Sequence, residues 1–108
     1  EKTANDSIIQ QCKEIIEQQC NISIDQNSFY YTRFVMHIKN LIFRKNENSI
    51  KITENGKLFE TIKKTYPKSY KCSLVIKRLF KEQMNFELSD EELVYLILHI
   101  NQLYTREN

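Results

Sequence analysis

The run SDEELVYLILHINQLYT, residues 89–105, decides how this chain folds. Its apolar residues Leu93, Leu96, Ile97, Ile100, Leu103 and Tyr104 recur at three- and four-residue spacings, which places them on one face of an α-helix. Ser89 and Glu92 form a capping box. The serine hydroxyl accepts from the backbone N–H of Glu92, and the glutamate reaches back to the N–H of Ser89. Asp90, Glu91 and Glu92 also suit the positive end of the helix dipole. A helix with so broad an apolar face must be buried against others.

Four further helices are predicted from the rest of the chain. The first runs from about Ser7 to Cys20, with Ile8, Ile9, Cys12, Ile15, Ile16 and Gln19 in a stripe and Asp6 or Ser7 as its cap. The second runs from about Asn27 to Lys45, with Tyr30, Phe34, Ile38, Leu41 and Ile42 inward, and Asn46 to Ser49 read as a polar connector. The alternation in Ile50 to Asn55 is too short for a strand. A short third helix, about Lys57 to Thr65, turns Leu58, Phe59 and Ile62 inward. It stops at Tyr66, because the residue before a proline avoids the helical region, and Pro67 opens the fourth helix at its first position. That helix reaches about Gln83 and buries Tyr70, Cys72, Leu74, Ile76, Leu79 and Phe80. Short connections between four long helices and one short one predict an all-α, five-helix antiparallel bundle.

Composition agrees. The 108 residues are 41% hydrophobic with twelve aromatics, enough for one domain with a core, and one Gly and one Pro leave little turn chemistry for a β-rich fold. No apolar run reaches the length of a membrane span, and no signal peptide is visible. The start at Glu1 reads as a fragment excised from a larger protein. A net charge of +2, with acidic and basic residues mixed, argues against direct nucleic-acid binding by this segment. Cys12, Cys20 and Cys72 lack metal-ligand spacing and read as reduced cytosolic thiols.

The two histidines occupy matching places. His37 and His99 each lie in an apolar helical pattern, and each is followed seven residues later by an arginine, Arg44 and Arg106. Seven residues make two turns, so each pair shares a face. His37 falls at the border of its apolar face in a lane with Arg33, Asn40 and Arg44. His99 shares a lane with Glu92, Tyr95 and Arg106. Two readings stay open from the residues: hydrogen-bonded structural histidines, or reactive groups reached from solvent. A metal site would need carboxylates such as Glu92 to complete it, and acid–base catalysis would need a pocket and a partner carboxylate. Phosphorylation on the imidazole needs only a reachable nitrogen and nearby donors, and Arg33, Asn40, Arg44 and Arg106 are suitable.

The segments TRFVMHIKNLIFR, LFETIKKTYPKSYKCSLVIKRLFKEQMNFEL and SDEELVYLILHINQL, in this order, resemble the histidine-bearing second helix, the middle and the closing motif of the PTS regulation domain, the PRD. The resemblance extends from about Asp6 to Tyr104 and is strongest to the second PRD of LicT/BglG-type transcriptional antiterminators. It implies a non-enzymatic, cytoplasmic regulatory domain without cofactor or metal, with His37 and His99 as phosphorylated residues. The modification comes from the phosphocarrier HPr or is controlled by a sugar-specific enzyme II. It also implies a homodimer whose state controls an RNA-binding domain outside this fragment. Arg44 matches the arginine that follows in the second helix, and Gln102 stands where the family has an arginine. The alternatives are a PRD of a DNA-binding activator and a helical interaction domain with structural histidines.

Overall fold

The computed structural model describes residues 3–47 and 56–107. Five helices follow in chain order: α1 (Ala4–Cys20), α2 (Phe29–Glu47), α3 (Gly56–Thr65), α4 (Pro67–Met84) and α5 (Asp90–Glu107). No strand occurs among the described residues. α5 packs against α2, α3 and α4, while α1 lies across α4 and α2. The core joins Ile8, Cys12 and Ile16 of α1, Phe34, Ile38 and Leu41 of α2, Cys72, Ile76 and Phe80 of α4, and Leu93, Leu96, Ile97, Ile100 and Leu103 of α5.

The ends of the helices are set by local chemistry. α5 begins as expected: the Ser89 N–H donates to Glu92 Oε1 at 2.9 Å and the Glu92 N–H donates to Ser89 Oγ at 3.2 Å. α1 starts earlier than expected, because Thr3 rather than Asp6 or Ser7 is its cap. Thr3 Oγ1 accepts from the Asp6 N–H, and Asp6 accepts from the Thr3 N–H in return. With only one glycine in the chain, asparagines supply the left-handed residues that close two helices. Asn21 (φ 55°) ends α1 and Asn85 (φ 53°) ends α4; asparagine is among the few non-glycine residues that tolerate this region. One residue, Tyr66, joins α3 to α4, and Pro67 takes the first position of α4.

Three expectations need correction. Leu58 is 46% exposed, so the inward face of α3 rests on buried Phe59 and half-buried Ile62. Gln19 is exposed, and Lys13 is buried in its place on α1. The Lys13 ammonium meets Glu17 Oε2 at 3.2 Å, and that carboxylate also accepts from the Ile24 N–H at 2.9 Å, tying the chain after α1 back to the helix. Asn46 and Glu47 belong to α2, not to a connector, because nothing in the polar run forbids another turn. Asn48, Ser49 and the Ile50–Asn55 alternation lie outside the described residues.

The cysteines are free and buried. Burial pushes the Cys12 thiol up to about 12. Cys20 and Cys72 share a hydrogen bond between α1 and α4, which holds Cys20 down at about 7 and drives Cys72 up.

Truncating Phe34, fully buried between helices, is expected to cost about 3–5 kcal/mol, and Leu58→Ala less than about 1 kcal/mol. Urea unfolding of the two variants measures the difference. Similar losses would contradict this placement of α3.

Candidate functional site

α2 and α5 run antiparallel, and their contacts fix one register. At the middle, the rings of His37 and His99 stack, with centroids 4.6 Å apart and planes at 29°. Two turns toward the C-terminus of α2, Arg44 meets Glu92 of α5 at 4.0 Å. Two turns the other way, the guanidinium of Arg106 lies 5.6 Å from the Tyr30 ring centroid. Both arginines that follow a histidine by seven residues therefore face a residue that lies seven before the other histidine. The repeated spacing is the signature of this seam.

The histidines differ in access. His37 is 9% exposed, beneath the ring of His99 and beside Tyr95, whose ring centroid is 6.3 Å away. His99 is half-buried. The sequence placed both at the border of an apolar face, and the border of the α2 face turns inward once α5 is docked. Burial first, then the charge of Arg33, lowers the pKa of His99 below the ordinary histidine value of 6.5. Both effects disfavour the imidazolium, so His99 is held in the neutral form that carries a nucleophilic lone pair.

Two surface cavities, each of about 210 Å³, flank the pair. One is lined by Arg33, Tyr95, Leu98, His99 and Gln102. The other is lined by Arg33, Met36, His37, Asn40 and His99. Of the four donors expected from the sequence, Arg33 and Asn40 come to the histidines. Arg44 and Arg106 are instead engaged along the seam, with Glu92 and Tyr30. Met36, Leu98 and Gln102 were not foreseen as lining residues. Their signal was faint: Met36 precedes His37, and Gln102 lies one turn beyond His99.

Glu92 anchors the upper end of the seam. Its side chain is 3% exposed, against 35% for Arg44. One carboxylate oxygen takes the Ser89 N–H and the other faces the guanidinium. Among the described residues no group of three or more His, Cys, Asp or Glu is placed to hold a metal ion, and no helix is long and apolar enough to cross a membrane.

The family model of the PRD domain matches residues 10–103. The chain belongs to the PRD family. Relatives of this PRD include Protein GlcT of Staphylococcus haemolyticus, 34% identical over 98 residues that cover 87% of this chain and 34% of the relative. The GlcA/glcB genes antiterminator of Staphylococcus carnosus is 35% identical over 94 residues, covering 87% of this chain and 32% of that protein. The transcription antiterminator LicT of Bacillus subtilis is 26% identical over 96 residues, 89% of this chain and 35% of the relative. The PRD thus spans about a third of the length of these proteins.

The depressed pKa of His99 has a sign. The unfolded chain binds a proton at His99 before the folded chain does, so its contribution to stability is complete above the unfolded value near 6.5 and is lost as pH falls through the lower folded value. The melting temperature of this PRD should therefore fall on acidification from pH 7 to 5, and the fall should be smaller in His99→Gln. An equal or steeper fall in the variant would refute the assignment.

Proposed function

We propose that this chain is one PRD of a larger transcriptional antiterminator, a cytoplasmic regulator without catalytic activity of its own. His37 and His99 accept phosphoryl groups from HPr or under the control of a sugar-specific enzyme II. The observation that carries the reading is the meeting of the chain's two histidines at one seam, with Arg33 and Asn40 beside them. Two stacked rings bordered by cavities and a guanidinium favour reactive groups over purely structural ones. The relatives from S. carnosus and B. subtilis are both antiterminators, which supports the regulatory setting. RNA would then be bound by another domain of the whole protein.

The site would act on a homodimer. Phe29, Met36 and Phe43 recur at seven-residue spacing along α2 and are 65%, 60% and 60% exposed. Three large apolar side chains on one helical stripe favour burial against a partner surface. Met36 lines the His37 cavity, so a phosphoryl group there sits beside the stripe. Such a group brings nearly two negative charges. Two of them about 10 Å apart across a symmetric interface would repel by roughly 2 kcal/mol in water-like surroundings and about 7 kcal/mol at an effective dielectric of 20. A term of that size shifts an association equilibrium by tenfold or more.

Incubation with enzyme I, HPr and phosphoenolpyruvate, followed by mass analysis under conditions that preserve phosphohistidine, should find phosphate on His37 and His99. Supplying the enzyme II component in a second reaction covers the other route. No phosphate on either residue in either reaction would sink the proposal.

Met36→Glu and Phe43→Glu should weaken self-association by about tenfold or more, read by sedimentation velocity over a concentration series. Wild-type and variants sedimenting alike would remove this stripe from the interface.

A further inference from the structure

We infer that the two histidines are modified in a fixed order, His99 first, and that His99 controls access to His37. The inference rests on the reading of both residues as phosphoryl acceptors and adds the order and coupling of the two steps. Two observations support it.

Of these two cavities, His99 borders both and His37 borders the one that it shares with His99. From them an incoming donor has two approaches to His99 and one to His37. The ring of His99 stacks on the buried ring of His37, so one face of the inner imidazole is covered by the outer one. Arg33 borders both cavities, with Asn40 in the shared one and Gln102 in the other, so each position has a guanidinium and an amide available to a phosphoryl group, and the order rests on access.

The stacking also excludes a direct transfer between the rings. A nitrogen lone pair lies in the plane of its imidazole, and in-line phosphoryl transfer needs the attacking lone pair aimed at phosphorus opposite the leaving nitrogen. In two stacked rings inclined by 29°, each lone pair lies in a plane that passes beside the other ring and not through it. His37 must therefore be charged from outside, through the cavity that it shares with His99. A phosphoryl group on His99 places close to two negative charges at that opening, against a donor that is itself negative. The first modification thus slows the second.

A small donor tests this without any protein partner. With phosphoramidate, the neutral imidazole forms a nitrogen–phosphorus bond as the donor's own nitrogen–phosphorus bond breaks. The proton leaving the other ring nitrogen ends on the departing ammonia, which is released as ammonium. The 108-residue chain is treated with phosphoramidate, and each site is followed by long-range proton–nitrogen NMR of the imidazoles. The initial rate at His99 should exceed that at His37 by about tenfold or more, which corresponds to about 1.4 kcal/mol in barrier height. In His99→Ala, or in His99→Gln if the alanine variant does not fold, His37 should be labelled faster than in the wild type.

A smaller rate ratio, or His37 leading, overturns the order. An unchanged rate at His37 without His99 overturns the control of access. Ordered labelling by phosphoramidate with no transfer from HPr or enzyme II would leave this inference standing and remove the proposed function. Transfer from HPr to both residues without order under phosphoramidate would do the reverse.

Discussion

The seam between α2 and α5 depends on one buried carboxylate. Glu92 is almost wholly withdrawn from water, and a buried charge is tolerated only when it is neutralised and hydrogen-bonded. Among the groups that meet that demand are the Ser89 N–H, the positive end of α5, and the guanidinium of Arg44. The first two are local to α5. The third comes from α2, and it fixes which turn of α2 lies against the start of α5. A slip by one turn would part the carboxylate from Arg44 and would also part the two histidines. The same residue that starts the helix therefore sets its register.

The histidine pair follows from that register and from the apolar faces on either side. Ile38, Leu41 and Phe34 hold one flank of the seam, and Leu96, Ile100 and Leu103 hold the other. The imidazoles sit at the margin where these faces give way to polar residues. Burial there is enough to favour the neutral imidazole at His99, and Arg33 adds to the effect while remaining close enough to serve an anion. One guanidinium thus suppresses the charged base and provides for a negative group placed on it.

Much of the fold could be read from local signals. The capping box at Ser89, Pro67 after Tyr66, and the apolar periodicity located all five helices, because each signal acts within one or two turns. Leu58 was misread because a short helix has few periodic positions, and neighbouring apolar residues compete for the inward face. The site was legible only in part. Periodicity placed His37 and His99 on the right sides of their helices, but it cannot say which turn of α2 meets which turn of α5. The seven-residue spacing to Arg44 and Arg106 was visible, yet its cause was not. It suggested two donors beside two acceptors, whereas the arginines reach across the seam to Glu92 and Tyr30. Arg33, closer in sequence to His37, proved to be the cation shared with His99.

The antiparallel contacts give the seam an approximate local twofold axis that passes between the stacked rings. Each arginine–partner pair lies seven residues from it, a distance of about 10 Å along the helix. The rings are therefore the fulcrum, and the Arg44–Glu92 and Arg106–Tyr30 contacts are the tips of two equal arms. A wedge driven in at the fulcrum tilts both arms at once, with neither end favoured. A few ångströms of spreading at the centre would be felt at the first turn of α5 and at its last.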